Sequence, residues 1–283
     1  MASIVRFDVH STLEYRVSGP ATFVFNVAAA ETAHQTIVTE SVTSVPDATS
    51  ESYLEATTGN RYQRIAFNVG QLKLTYTATI EPRPVLVDPA DIRGTAPDRL
   101  PMWTLPYLVP SRYCQSDHLM RLAYREFGRL PRGYAQVKGI CDWIYNNVDY
   151  MAGSTGPLTS AFDTATQRTG VCRDFAHLAI AFCRALNIPA RFVSGYAYNL
   201  NPPDFHAMFE AWLGDRWYLF DPTRQVSPMG MMRIGTGRDA ADVSFALIFG
   251  PVVMTSMKVE TRAASDDCDD GIARAAGMAV ASA

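Results

Sequence analysis

Apolar and polar positions alternate along much of the first 80 residues, the pattern of half-buried strands. TLEYRV, ATFVFNV, QTIVTESVT, RYQRIAFNV and LKLTYTATI carry it, rich in β-branched and aromatic side chains. Gly59-Asn60 and Gly70-Gln71 supply turn chemistry between strands. No segment here sustains a helical period. Residues 1–80 therefore predict an all-β module, a small sandwich.

The pattern then breaks. Pro82, Pro84, Pro89, Pro97, Pro101, Pro106 and Pro110 exclude regular helix and disfavour central strands, so residues 81–112 read as a proline-rich connector. From Ser116 the period becomes helical. Ser116 and Asp117 open a helix that runs to Phe127 and stops at Gly128. A second helix is expected over 134–147 and a short third one near 159–168. A fourth, over 172–186, ends at the stop signal Asn187-Ile188-Pro189. Strands follow in ARFVSGYAY, HAMFEAWL, RWYLFDP and FALIFGPVVMTSMKVET. Helices followed by strands make residues 113–262 an α+β domain. Residues 263–283, rich in Ala and Asp, are expected to be a disordered tail, the acidic run 266–270 included.

Composition sets outer limits. The chain is 48% hydrophobic and 19% charged, as in soluble globular proteins. A net charge of −3 gives no general attraction to nucleic acid or an anionic membrane, and neither is expected as a partner. No run approaches the roughly 20 apolar residues of a membrane-spanning helix. MASIVRFDVH lacks the plan of a secretory signal, so a cytoplasmic location is expected. The five cysteines are odd in number, widely spaced and without C-x-x-C, which suggests neither a zinc ribbon nor a disulfide framework.

One cysteine stands apart. Cys172 opens the fourth helix, where unpaired N–H groups and the helix dipole favour a thiolate and could hold a developing oxyanion. Gly170 permits close entry to that helix. Cys183 lies deep in the same apolar run and reads as core, as do Cys114, Cys141 and Cys268. Arg173 and Asp174 flank Cys172. They read either as groups acting on substrate or thiolate, or as ordinary first-turn helix residues.

A cysteine nucleophile needs a base, and the base an orienting partner. His10 and His34 belong to the β module, and His118 to a helix start. His177 follows Cys172 by five residues, about 140° round the axis, so the two diverge and His177 reads as packing. His206 differs. Gly214-Asp215 marks a two-residue hairpin between HAMFEAWL and RWYLFDP. In that register Leu213 faces Arg216 and Met208 faces Asp221. Asp221 is then the diagonal neighbour of His206, at roughly 7–8 Å between backbones. Alone, Asp221 would read as a turn carboxylate. Cys172, His177 and His206 as a metal site is a poorer reading, given the Cys–His spacing on one helix.

TGVCRDFAHLAIAFCRALNIPARFVSGY (169–196), DFHAMFEAW (204–212) and WYLFDPT (217–223) together resemble the transglutaminase-like superfamily, in its bacterial, cysteine-protease-like branch. Such proteins carry G-x-C at a helix start, R-A-x-x-I-P-A-R and a G-Y strand, then H-A, then D-P-T. An N-terminal β module before the core is usual in that branch. Trp often follows H-A there, and this chain has Met208. The resemblance implies a papain-like core of helices packed on an antiparallel sheet. It also implies a Cys172-His206-Asp221 triad that acts on a protein or peptide through a thioester. No acidic loop of the calcium-binding type is present, so no cofactor and no metal are expected. Hydrolysis of a peptide or glutamine amide, transfer to an amine, and a non-catalytic peptide-binding role on the same fold all stay open. Tyr150 is a candidate second oxyanion donor beside the Cys172 N–H, and Asp174 a candidate substrate group.

Overall fold

A computed structural model of the chain describes residues 5–265 and 268–281. The first strands are β1 (Phe7–Val17), β2 (Ala21–Phe25), β3 (Gln35–Val45), β4 (Ser50–Leu54), β5 (Arg61–Phe67) and β6 (Gly70–Pro82). The period-two signal is realised in their burial. Leu72, Leu74, Tyr76, Ala78 and Ile80 of β6 point inward, and Phe7, Leu13 and Tyr15 of β1 meet them across an antiparallel ladder. β4 and β5 pair across a turn that ends on Gly59-Asn60. The other turn signal is offset: Gly70 already begins β6, with φ of +140°, and β5 and β6 lie in different sheets. A left-handed φ of this kind is what glycine tolerates.

Three short 3-10 turns and β7 (Val85–Val87) carry the chain into α1 (Ser116–Phe127) and α2 (Tyr134–Asn147). Then come β8 (Asp149–Tyr150), α3 (Ala161–Gln167), β9 (Thr169–Gly170) and α4 (Cys172–Ala185). The remaining strands are β10 (Ala190–Ala197), β11 (Phe205–Leu213), β12 (Arg216–Phe220), β13 (Met231–Gly237), β14 (Ala246–Phe249) and β15 (Val252–Ala263). A short α5 (Cys268–Arg274) and β16 (Ala279–Ala281) follow.

The helix signals are met closely. α1 stops on Gly128, and α4 closes before Asn187, whose φ of 59° is left-handed. α4 is buried on all sides from Asp174 to Ala185, so it is a central helix rather than a surface helix with one apolar stripe. Its small side chains Ala176, Ala179 and Ala181 let neighbouring elements approach, and Phe175, Ile180 and Phe182 fill the space between them. Phe209 and Phe220 from the sheet join the same core.

The sheet has the order β13-β10-β11-β12-β16-β7. The sandwich consists of two four-stranded sheets, β15-β1-β6-β3 and β14-β2-β5-β4. Two expectations are overturned here. FALIFGPVVMTSMKVET, expected with the α+β domain, instead forms the outer strands of the sandwich: β15 pairs along the whole of β1, and β14 along β2. The described residues after 263 are not a disordered tail. α5 is helical, and β16 pairs with both β12 and β7 inside the six-stranded sheet. Asp266 and Asp267 of the acidic run lie outside the described residues. Both corrections have one cause. Strand pairing is made by backbone groups, so a partner far away in sequence leaves no local signature.

Sandwich and sheet share a seam. Tyr196 of β10 is fully buried in the sandwich core, where its hydroxyl donates to Val27 O at 2.8 Å and bonds Ser11 Oγ at 2.8 Å. Gln35 bonds both the N–H and the carbonyl of Arg233, and Asn60 does the same for Thr236. The sandwich therefore satisfies the open edge of β13, which would otherwise expose unpaired backbone.

A fragment ending at residue 112 lacks β14 and β15 and would expose the flanks of β1 and β2. It is expected to show no cooperative unfolding transition by circular dichroism, whereas the full chain shows one. A cooperatively folded fragment would contradict this pairing.

Candidate active site

α4 starts where a two-residue parallel bridge ends. β8 and β9 pair Asp149 with Thr169 and Tyr150 with Gly170, and Cys172 is the first residue of the helix. Gly170 is needed for contact rather than for φ: a Cβ there would stand 2.8 Å from Asp174 Cβ. Cys172 is partly exposed, while Cys114, Cys141, Cys183 and Cys268 are buried. Burial pushes the Cys114 thiol up to about 12 and raises those of Cys141 and Cys183 as well. Thiols held neutral in this way are poor nucleophiles.

His206 is the second residue of β11, and Asp221 follows the end of β12. The hairpin register is the one expected from its turn, running from Leu213 opposite Arg216 to Phe209 opposite Phe220. It brings His206 Nε2 to 3.1 Å from Asp221 Oδ2, with both side chains almost completely buried. Asp221 is itself held from behind. Its Oδ1 accepts the Thr223 N–H at 2.8 Å and the Thr223 hydroxyl at 2.6 Å, and its Oδ2 accepts the Val226 N–H at 3.2 Å. This carboxylate both caps the turn and bonds the imidazole. Thr223 is a site residue that the sequence reading passed over, although it is the last letter of D-P-T.

Burial works to lower the His206 pKa, but the Asp221 hydrogen bond and the Cys172 thiol outweigh it and raise the ring to about 10. Nδ1 of the ring is buried and makes no hydrogen bond. With Nε2 committed to Asp221, Nδ1 is the ring nitrogen that the carboxylate does not hold. The Cys172 thiol lies close enough to the ring to raise it.

Tyr150 also reaches Cys172. Burial, then the charge of Cys172, raise the phenol to about 12, so it stays a hydrogen-bond donor at neutral pH. Gln225 hydrogen-bonds to it, a neighbour that no sequence pattern singled out. Asp174, the other candidate substrate group, is not available. It is completely buried, its Oδ2 accepts the Val171 N–H at 3.0 Å, and its Oδ1 is paired with Arg173. A carboxylate near the start of a helix is drawn to the free N–H groups there, and this one faces inward.

The other histidines are elsewhere. His177 is fully buried, stacks on Tyr113 at 5.1 Å between ring centres and accepts the Ala240 N–H at 3.1 Å. Burial lowers its pKa to about 3, so it is neutral and structural. His10 bonds Thr12 within the sandwich, His34 lies beside Arg83, and His118 is exposed beside Asp117. Among the described residues no three His, Cys, Asp or Glu side chains gather as metal ligands. Among them, too, no helix is long and apolar enough to cross a membrane.

Known proteins resemble this chain. Residues 122–222 match the profile of the transglutaminase-like superfamily, and residues 5–91 that of the bacterial transglutaminase N-terminal domain. A crystal structure described as a "Putative Cysteine Protease from Cytophaga hutchinsonii" is 47% identical, with a TM-score of 0.90, covering 94% of this chain and 93% of that one. The chain belongs to the transglutaminase-like superfamily. An uncharacterized protein of Mycobacterium leprae is 28% identical over 252 residues, 83% of this chain and 89% of its own. One of Mycobacterium tuberculosis is 34% identical over 122 residues, 38% of this chain and 39% of its own. The transglutaminase-like profile spans α2 to β12 and contains Cys172, His206 and Asp221.

Because folding raises the His206 pKa, the charged ring stabilises the folded state. That contribution is complete below 6.5, the unfolded value, and fades as pH climbs through about 10. In Asp221→Asn the ring should titrate nearer 6.5 by NMR. A titration unmoved by that substitution would contradict the pairing.

Proposed function

We propose that this chain is a thiol-dependent acyl hydrolase of the transglutaminase-like type, a cysteine protease or amidase acting on a protein or peptide. The observation that carries the reading is the buried His206–Asp221 pair, at 3.1 Å, beside a partly exposed cysteine at a helix start. The raised imidazole pKa favours a thiolate–imidazolium pair at neutral pH.

In this mechanism the Cys172 thiolate attacks the carbonyl carbon of the amide. The developing oxyanion takes hydrogen bonds from the Cys172 N–H and the Tyr150 phenol. His206 gives its proton to the amide nitrogen as the C–N bond breaks, releasing an amine and leaving a thioester. Water then enters, His206 removes its proton, and the resulting hydroxide adds to the thioester carbonyl. The C–S bond breaks, and the acid and the Cys172 thiolate are released. Asp221 holds the ring in one tautomer and stabilises its charged form throughout.

Water access favours hydrolysis over transfer. Tyr150 is 45% exposed and Cys172 partly so, and an open site offers the thioester to solvent. Incubation with short peptides and glutamine amides, with and without hydroxylamine, tests this. Free acid in its absence is the expected product, with hydroxamate as the trapped form. Cross-linked amide without free acid would instead favour an amine transferase. Cys172→Ala should abolish both products without unfolding the protein. Iodoacetamide should label Cys172 ahead of the four buried thiols, and stoichiometric labelling of Cys183 instead would sink the assignment.

A further inference from the structure

The segment that carries Tyr150 has little apolar burial to hold it. Met151 is 52% exposed and Leu158 77%, and the pairing of β8 with β9 is only two residues long. Polar ties do the holding instead. Thr155 donates its hydroxyl to Asp174 Oδ2 at 2.6 Å, and Arg173 Nη2 donates to the Gly156 carbonyl at 2.9 Å. Arg173 also grips Asp174 Oδ1 through Nε at 3.0 Å and Nη2 at 2.8 Å. The same carboxylate accepts the Val171 N–H, so one buried group joins the loop to the residue before Cys172. Met151 N–H closes the set on the Gly170 carbonyl at 2.9 Å.

We infer that Thr155, Arg173 and Asp174 form a clamp that fixes the 149–156 segment against the first turn of α4, and so fixes the Tyr150 phenol against the Cys172 amide. The inference rests on the acyl-transfer reading above and adds to it three positioning residues that touch no reacting atom. Arg173 has a second effect. It balances the Asp174 carboxylate, which would otherwise stand as a bare anion two residues from a developing thiolate.

The clamp explains why the first turn spends a buried carboxylate facing away from solvent. Val at position 155 keeps the shape of Thr and removes only the hydroxyl, leaving a fully buried oxygen short of a donor. Ser keeps the hydroxyl. The effect belongs in kcat, because the two oxyanion donors act on charge that forms only in the transition state.

The test compares wild type, Thr155→Val and Thr155→Ser as full chains. It reads hydroxamate formation, Cys172 alkylation, melting temperature, and hydrogen exchange at the Met151 and Val171 amides. Thr155→Val should lower kcat by about 10–100-fold, as misplaced oxyanion donors do. KM and alkylation rate should stay within about threefold, and Thr155→Ser should recover most of the loss. A folded Thr155→Val enzyme with kcat within about threefold of wild type overturns the clamp, as does a Ser variant as slow as the Val variant. A wild type that forms no hydroxamate or acid overturns the acyl-transfer reading instead. In that case lost amide protection in Thr155→Val still supports the clamp, and unchanged protection overturns it.

Discussion

The pairing of Leu213 with Arg216 across the Gly214–Asp215 turn governs what the rest of the site can be. It sets where His206 lands relative to Asp221. A strand has a period of two, so a slip of one residue would turn His206 to the opposite face and away from the carboxylate. The core resists such a slip. Phe209 and Phe220 meet at 5.5 Å between ring centres in the core under α4, while Met208 packs in a separate cluster with Val193 and Leu219. Apolar packing and chemistry therefore specify the same register, and neither can change without the other.

Legibility in the sequence tracked distance along the chain. α4, its cysteine start and the hairpin with its turn were readable, because caps, periods and turns are written within a few residues. The His206–Asp221 contact was readable because the hairpin is short. The pairing of β1 with β15 was not, since Leu13 and Met257 face each other from strands far apart in sequence and share no local pattern. β16 was hidden for a related reason. Ala and Val between flexible-looking residues become a strand only when β12 and β7 flank them. Asp174 stayed between two readings: its position near the helix start was clear, but not that it faces inward.

The seam between sandwich and sheet ties the two halves into one mechanical unit. Tyr196 leaves the strand beside His206's own and ends in the sandwich core, and Gly195 is the residue opposite His206. A Cβ on Gly195 would stand 2.3 Å from the Met232 carbonyl, so β10 and β13 run close at the level of the histidine. That close approach leaves β10, the strand paired with His206, little room to shift.

The outer strands of the sandwich also constrain the order in which the molecule can assemble. β14 and β15 come after β7 to β13 in sequence, yet they flank β1 and β2. The N-terminal module thus waits for residues 246–263 while the ribosome translates everything between. Long-range pairings of this kind close late and slowly, because the loop entropy is lost before any contact repays it. An incomplete chain would keep its sandwich edges open and its sheet without β16. The sheet that carries His206 is then complete only once β16 has been made.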